Sequence, residues 1–430
     1  MRAGSRLNAS PPELEDEFFR HAFGRLVASL TRRYGAARLQ QIEDAAQSAL
    51  VAGLNTWSRA GLPDAPLAWL HRVAHNAYLG DARRSARSEP LNTGRAADLE
   101  APSAMDDDLL HMLFVCCDER IPVESQLVLA LRTLCGFDAR EVAARLLTTE
   151  ANVRKRHTRA LERLRDQRPP AVNQDTQDEP YGLRTEPSVH ELDRRLPAVQ
   201  LVLYLVHTEG YLSAQPDAAV RGELCRESIR LTSLLAEDPV GATPATFALL
   251  ALMHLHTARL PGRTSASGAL LLLEEQDRAL WDRGQIAEGL AWLEKSATGN
   301  AFTRYHAEAG VAAEHALAPS FGATRWDRIV ACYKLIDSQA PTPMHTLNRA
   351  VAVAELDGPD AGLEVLRTSQ GVSRLTDTYL HYAVLADLHH RIGDFERAAT
   401  LREKAYAKAP SQHIRALLER RLHWLEAESD

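Results

Sequence analysis

Apolar residues recur at helical spacing along almost the whole 430-residue chain, and no stretch alternates long enough to build a sheet. Phe19, Phe23, Leu26 and Leu30 share one face near the start. Leu67, Leu70, Val73 and Ala74 share another, and the sequence from 191 onward keeps the same period. Such a chain folds as layers of packed helices. Hydrophobic residues make up 45% and charged residues 25%, a globular balance that excludes wholesale disorder.

The net charge of −7 excludes a protein that coats nucleic acid by bulk charge. The charge is unevenly spread, however. Residues 1–170 hold 24 Lys and Arg against 22 Asp and Glu, a net of +2, and the remainder holds 26 against 35, a net of −9. A basic front and an acidic back suggest two different jobs.

Turn-rich stretches divide the chain. GLPDAP (61–66) precedes a helix that can open at Pro66, where the missing N–H is no loss. Residues 89–105 lack periodicity, and 167–190 hold four prolines among polar residues. The expected organisation is a helical unit over 13–88, a linker at 89–105, a second helical unit over 106–166, a linker at 167–190 and a helical extension over 191–430.

The most informative short stretch is GFDAREVAARLLTTEANVRKRHTRALERLR, residues 136–165. Asp138 and Glu141 form a capping box, and Val142, Ala143 and Leu146 give the helix an inward face. Leu147-Thr148-Thr149 makes a short turn in which either threonine can cap the next helix. That helix is apolar at Val153, Ala160, Leu161 and Leu164, and carries Asn152, Arg154, Lys155, Arg156 and Arg159 on its exposed side. This pattern reads as a helix-turn-helix, whose second helix would dock in the major groove with its early polar residues at base edges and its flanking Arg and Lys on phosphates. The plainer alternative is an exposed basic helix of a bundle.

Near the C-terminus, Leu385, Gly393, Ala398, Ala405 and Pro410 fall at the spacing of a tetratricopeptide helix pair, with a weaker copy over 347–366. A degenerate helical solenoid is the expectation for the extension.

Other groups invite chemistry without supporting it. The five cysteines include an adjacent pair and no CxxC spacing, so they read as buried apolar residues in a reducing compartment. His254 with His256, and His389 with His390, lack the spacing of a helical zinc site, so no metal or other cofactor is expected. The acids of EEQDRALWDR (274–283) are read as a capped helix junction paired with Arg278 and Arg283. No apolar run is long enough to span a membrane, and the first residues lack the apolar core of a secretory signal, so a cytoplasmic, non-enzymatic protein is expected.

Taken together, the two basic units and the extension resemble the extracytoplasmic-function (ECF) sigma factors of RNA polymerase, in the subgroup with a long tetratricopeptide-like C-terminal extension. The segments FFRHAFGRLVASLTRRYG and IEDAAQSALVAGLNTWSRAGLPDAPLAWLHRVAHN resemble sigma region 2, and DDDLLHMLFVCCDERIPVESQLVLALRTLCGFDAREVAARLL resembles the start of region 4. YLVHTEGYLSA, EEQDRALWDRGQIAEG and LNRAVAVAELDGPDAGL resemble recurrent stretches of the extension. The resemblance implies that region 2 binds the clamp-helix coiled coil of core polymerase through Glu43, Asp44 and Gln47. It implies that the helix 67–87 opens the −10 element, with Asn76, Tyr78, Arg83, Arg84 and Arg87 as contacts. Region 4 would read the −35 element and touch the polymerase flap. The extension would take over regulation, through a protein or peptide ligand. The chain departs from the family pattern at Ala77, Gly80, Ser48 and His157. The competing reading is a helix-turn-helix activator with a helical sensor domain, which would have no use for the region-2 pattern.

Overall fold

The computed structural model describes residues 11–86, 107–166, 188–213, 215, 218–339, 342–369 and 377–423. These hold eighteen α-helices and no strand, the all-α fold expected. The chain divides into two compact units, residues 1–202 and 203–430. The expected linker at 89–105, and 167–187 of the second linker, lie outside the described residues.

The first unit opens with α1 (Pro11–Tyr34), α2 (Leu39–Ala60) and α3 (Pro66–Ala86). Gly35, at φ 84, turns the chain between α1 and α2 in a conformation that favours glycine. At one end of the bundle Trp57 packs against Phe19 and Trp69, with ring centroids 5.6 and 5.4 Å apart. At the other end Tyr34 stacks on Tyr78 at 4.2 Å, and its hydroxyl meets His75 Nδ1 at 2.8 Å.

Four helices follow: α4 (Asp108–Cys116), α5 (Val123–Thr133), α6 (Ala139–Arg145) and α7 (Glu150–Arg165). Asp107 caps α4 by accepting the N–H groups of Leu109 and Leu110, a favourable place for an acid at the positive end of the helix dipole. The Asp138–Glu141 capping box forms as its spacing predicts, and Thr149 is the threonine that caps α7. Between α6 and α7, Leu147 sits at φ 49, a left-handed conformation that costs an L-residue roughly 1–2 kcal/mol. Burial of Val142, Ala143, Val153, Ala160 and Leu164 offsets that cost by fixing the two helices around the turn.

Helices α4–α7 do not stand apart from α1–α3. A Cβ at Gly24 would lie 2.2 Å from the Leu134 carbonyl oxygen, so glycine is what allows α1 to pass this close. Arg32 pairs with Asp108 at 2.6 Å, and Arg20 with Glu141 at 3.5 Å.

The next helix, α8 (Val189–Tyr211), begins within the stretch expected as linker, because Ser188 and Glu191 hydrogen-bond reciprocally and start it. Its first turns belong to the first unit. Arg195, 7% exposed, donates to the Phe114 carbonyl and to Asp118 Oδ2, both at 3.1 Å. Asp118 also takes a bidentate pair from Arg120 at 2.8 and 2.6 Å. Arg194 reaches Glu119 at 2.6 Å. Burial alone would raise the Asp118 carboxyl. The Arg120 hydrogen bonds and the Arg195 charge outweigh it and hold the group below the ordinary carboxylate range.

The second unit continues with α9 (Gly222–Glu237), α10 (Pro244–Thr257), α11 (Arg283–Ser296), α12 (Arg304–Leu317) and α13 (Trp326–Gln339). It ends with α14 (Pro343–Asp357), α15 (Pro359–Thr368), α16 (Tyr379–Arg391), α17 (Phe395–Ala407) and α18 (Gln412–Arg421). Helices pack in consecutive pairs, α10 with α11, α14 with α15 and α16 with α17. Small residues set the close approaches. A Cβ at Gly362 would meet the Ala350 carbonyl and the Ala354 methyl at 2.8 Å, and Ala398 and Ala405 are fully buried. One local expectation is corrected. Asp277 and Asp282 do cap the junction at 274–283, but Arg278 does not pair with its acids. It donates to the carbonyls of His315 and Ala318, while Glu274 and Glu275 pair with Arg421 and Arg420.

Replacing Asp118 with Asn leaves Arg195 buried beside a neutral partner. The expected loss is about 3–5 kcal/mol in the stability of the first unit, read by urea denaturation. Because the folded carboxyl titrates below its unfolded value, its contribution is present above the ordinary carboxylate range and is lost as pH falls through the folded value. The gap between wild type and Asp118→Asn is therefore expected to close below pH of about 4.

Candidate nucleic-acid and polymerase interfaces

The second helix of the helix-turn-helix, α7, is anchored by Val153, Ala160 and Leu164 and turns its basic side outward. At 100° per residue, Asn152, Lys155, Arg156 and Arg159 share one face, and Arg154 lies on the far side of the helix, about 150° from its centre. Asn152, Arg154, Lys155 and Arg159 are exposed and Arg156 is half-buried. Arg154 pairs with Glu150 at 2.7 Å, a solvent-screened pair of the kind worth only tenths of a kcal/mol, so the guanidinium can exchange it for a phosphate. Asn152 donates to the Thr148 hydroxyl at 3.3 Å, at the mouth of the turn.

Helix α3 presents a second polar face. Asn76, Arg83 and Arg84 are exposed, and Arg84 pairs with Asp81. Arg87 lies outside the described residues. Gly80 sits among these side chains, and a Cβ there would meet nothing closer than Arg84 Nη1 at 4.0 Å, so the surface is open. Tyr78 is placed elsewhere. It is 3% exposed, stacked on Tyr34, and accepts a hydrogen bond from Arg38 at 3.2 Å. In this arrangement it joins α1 to α3. Arg72, on the polar side of this helix in the sequence but not among the expected contacts, is exposed and lies on the Asn76–Arg83 face. The i, i+4, i+11 spacing of the three was the available signal.

The three residues assigned to polymerase binding part company on α2. Asp44 and Gln47 are exposed on a stripe that runs from Gln40 to Val51 and Leu54, which are 56% and 46% exposed. Burial, then the charges of Glu43 and Asp81, push the Asp44 carboxyl above the ordinary range. Val51 and Leu54 were not singled out in the sequence. Exposed apolar residues at i+4 and i+7 beyond Gln47 were the signal. Glu43, by contrast, is 8% exposed and turned towards α5 and α7. Its Oε1 accepts the Thr133 hydroxyl at 2.6 Å and lies 3.6 Å from His157 Nε2.

Among the described residues no helix is long and apolar enough to cross a membrane, and no group of three or more His, Cys, Asp or Glu is arranged to hold a metal ion.

Known proteins carry these patterns. Residues 19–88 match the family described as Sigma-70 region 2, and 111–164 match Sigma-70, region 4. Residues 195–297 match a family of unknown function, DUF6596. An uncharacterized protein of Rhizobium meliloti (strain 1021) is 33% identical over 401 residues, covering 91% of each chain. No solved structure matches. The bundle α1–α3 and the helices α4–α7, with their helix-turn-helix of α6 and α7, are thus regions 2 and 4, and the chain belongs to the sigma-70 family of RNA polymerase sigma factors, carrying a DUF6596 domain behind them.

Proposed function

We propose that this chain is an ECF sigma factor that brings core polymerase to its promoters in the cytoplasm, under the control of its own C-terminal extension. The observation that carries the reading is that one unit presents an exposed basic face on α7, an exposed polar face on α3 and an exposed stripe on α2. A helix-turn-helix activator would need the first alone. In this reading Asp44, Gln47, Val51 and Leu54 meet the clamp-helix coiled coil. Arg72, Asn76, Arg83, Arg84 and Arg87 handle the −10 strand, whose flipped bases and phosphates need polar pockets and a basic track. Asn152, Lys155, Arg156 and Arg159 read the −35 element, with Arg154 on its phosphates. Glu43 becomes available to polymerase when region 4 leaves α2. The helix pairs of the second unit are the tetratricopeptide-like extension. The buried Arg195–Asp118 pair supports a scaffolding role, because it ties the first helix of the extension to region 4. Run-off transcription with purified core polymerase tests the whole reading, since core alone does not start at a promoter. Absence of specific transcripts from promoters that the chain binds would favour the activator.

Each surface has its own test. Arg156→Ala and Arg159→Ala are expected to weaken −35 binding by about 1–3 kcal/mol where the contact reads a base, and to reduce the salt slope where it holds a phosphate. Filter binding across a salt series separates the two, and full binding by both variants would remove α7 from the −35 element.

Asp44→Arg and Val51→Asp are expected to weaken capture of core polymerase by a few kcal/mol, because each places an uncompensated charge in the interface. Their far-UV circular dichroism should be unchanged, as both side chains are exposed. Wild-type affinity for core would move the docking surface off α2.

Deleting the chain after residue 170 removes Arg194 and Arg195 from region 4. Run-off activity is expected to fall, because the two DNA-binding regions lose the element that holds them and the ordering cost returns to the binding step. Equal or higher activity would make the extension an inhibitor instead.

A further inference from the structure

Three arginines gather in the second unit with no carboxylate among the described residues to neutralise them. Arg263 lies over the Tyr211 ring, its guanidinium carbon 3.8 Å from the centroid. Arg259 stands between the Tyr211 and Trp281 rings, 5.9 and 5.4 Å from their centroids, and Arg278 lies 4.5 Å from the Trp281 centroid. His256 stacks on Tyr211 at 4.6 Å. The neighbouring acids are engaged elsewhere. Glu209 accepts from Ser213, Glu274 and Glu275 pair with Arg421 and Arg420, and Asp277 and Asp282 cap helical turns. Among the described residues, none lies within ion-pair distance of the three arginines.

What the guanidiniums touch is neutral. Arg263 donates to the Tyr211 carbonyl at the end of α8, and Arg278 to the His315 and Ala318 carbonyls at the end of α12. Arg259 donates to Gln276 Oε1. A helix C-terminus carries about −0.5 of an elementary charge, so the ends of α8, α10 and α12 compensate roughly half of the three positive charges. The histidines add none. Burial, then His207, Arg259 and Arg263, keep His256 well below its ordinary range, and burial with Arg259 and Arg278 pushes His315 down to about 4.

Buried donors beside the arginines also lack partners. Arg278 Nη2, Tyr211 Oη and His315 Nδ1 are shielded and unbonded, as is Nε1 of Trp281, a residue 2% exposed. Uncompensated charge and unmade hydrogen bonds in one place are each costly, and an anion would satisfy both. Arg259, Arg263, Arg278, Tyr211, His256 and His315 are each half-buried, so part of each side chain meets solvent beside the shielded atoms.

We propose that Arg259, Arg263 and Arg278 form a binding site for the phosphate or carboxylate head group of a small molecule. The cluster offers N–H groups and charge, and the Tyr211 ring is already covered by His256 and Arg263, so it recognises a charged head and not an apolar side chain. The three arginines lie within the DUF6596 match, residues 195–297. The binding claim itself does not rest on the sigma-factor reading.

The full-length chain is melted in sodium phosphate, sodium malonate and sodium chloride at equal ionic strength, so that screening is matched. Phosphate or malonate is expected to raise the melting temperature by about 2–4 °C over chloride, and the larger shift names the head group. Arg263→Gln and Arg259→Gln should abolish the shift. Tyr211→Phe, which keeps the ring contacts and removes the hydroxyl, should reduce it and serves if the arginine variants do not fold. Arg159→Gln on α7 should keep it. Equal melting in all three salts overturns the site. So does a shift that survives Arg263→Gln, or one lost with Arg159→Gln, which would assign the anion to the DNA-binding helix.

Discussion

A carboxylate taken out of water must be met by donors, and that requirement at Glu43 organises the first unit. Leaving the group unpaired would cost several kcal/mol. Thr133 at the end of α5 supplies a short hydrogen bond, and His157 of α7 stands 3.6 Å away. Helix α2 is thereby tied to α7, the second helix of the helix-turn-helix. Gly24 under the Leu134 carbonyl, Arg32 with Asp108 and Arg20 with Glu141 reinforce the same contact from α1. Regions 2 and 4 consequently form one compact unit here.

That arrangement separates surfaces that are ready from one that is held. The outer face of α7, the Arg72–Arg83 face of α3 and the Asp44–Leu54 stripe of α2 stand open while Glu43 is covered. Opening the contact exchanges the Thr133 hydrogen bond for water or a partner, and a hydrogen bond to a charged group is worth about 1.5–3 kcal/mol net. A partner that offers its own donors to Glu43 can meet that cost. His157 is the residue of α7 that faces the covered carboxylate.

The extension begins as part of the sigma core. In the first turns of α8, within the first unit, Arg195 is buried against Asp118 and the Phe114 carbonyl. The arginine cluster lies beside the far end of that same helix, at Tyr211.

The sequence by itself determined the all-α fold, the helix-turn-helix and the outward face of α7. These follow from local rules, in which the 3.6-residue period sets the buried side and Asp138, Glu141 and Thr149 satisfy N–H groups within one turn of themselves. It also carried the sigma resemblance, which the region-2 and region-4 matches support. Tertiary structure decided what depends on distant partners. Tyr78 and Asn76 are two residues apart on one polar-looking helix, and Tyr34 and Arg38 from α1 and the turn after it place Tyr78 in the core. Glu43 and Asp44 are adjacent, and the 100° between them puts one against Thr133 and the other in solvent. The three unneutralised arginines were invisible in sequence because acids surround Arg278 there. Only folding turned those acids towards caps and towards Arg420 and Arg421, since the lowest-energy partner of a charge is set by position in space and not along the chain.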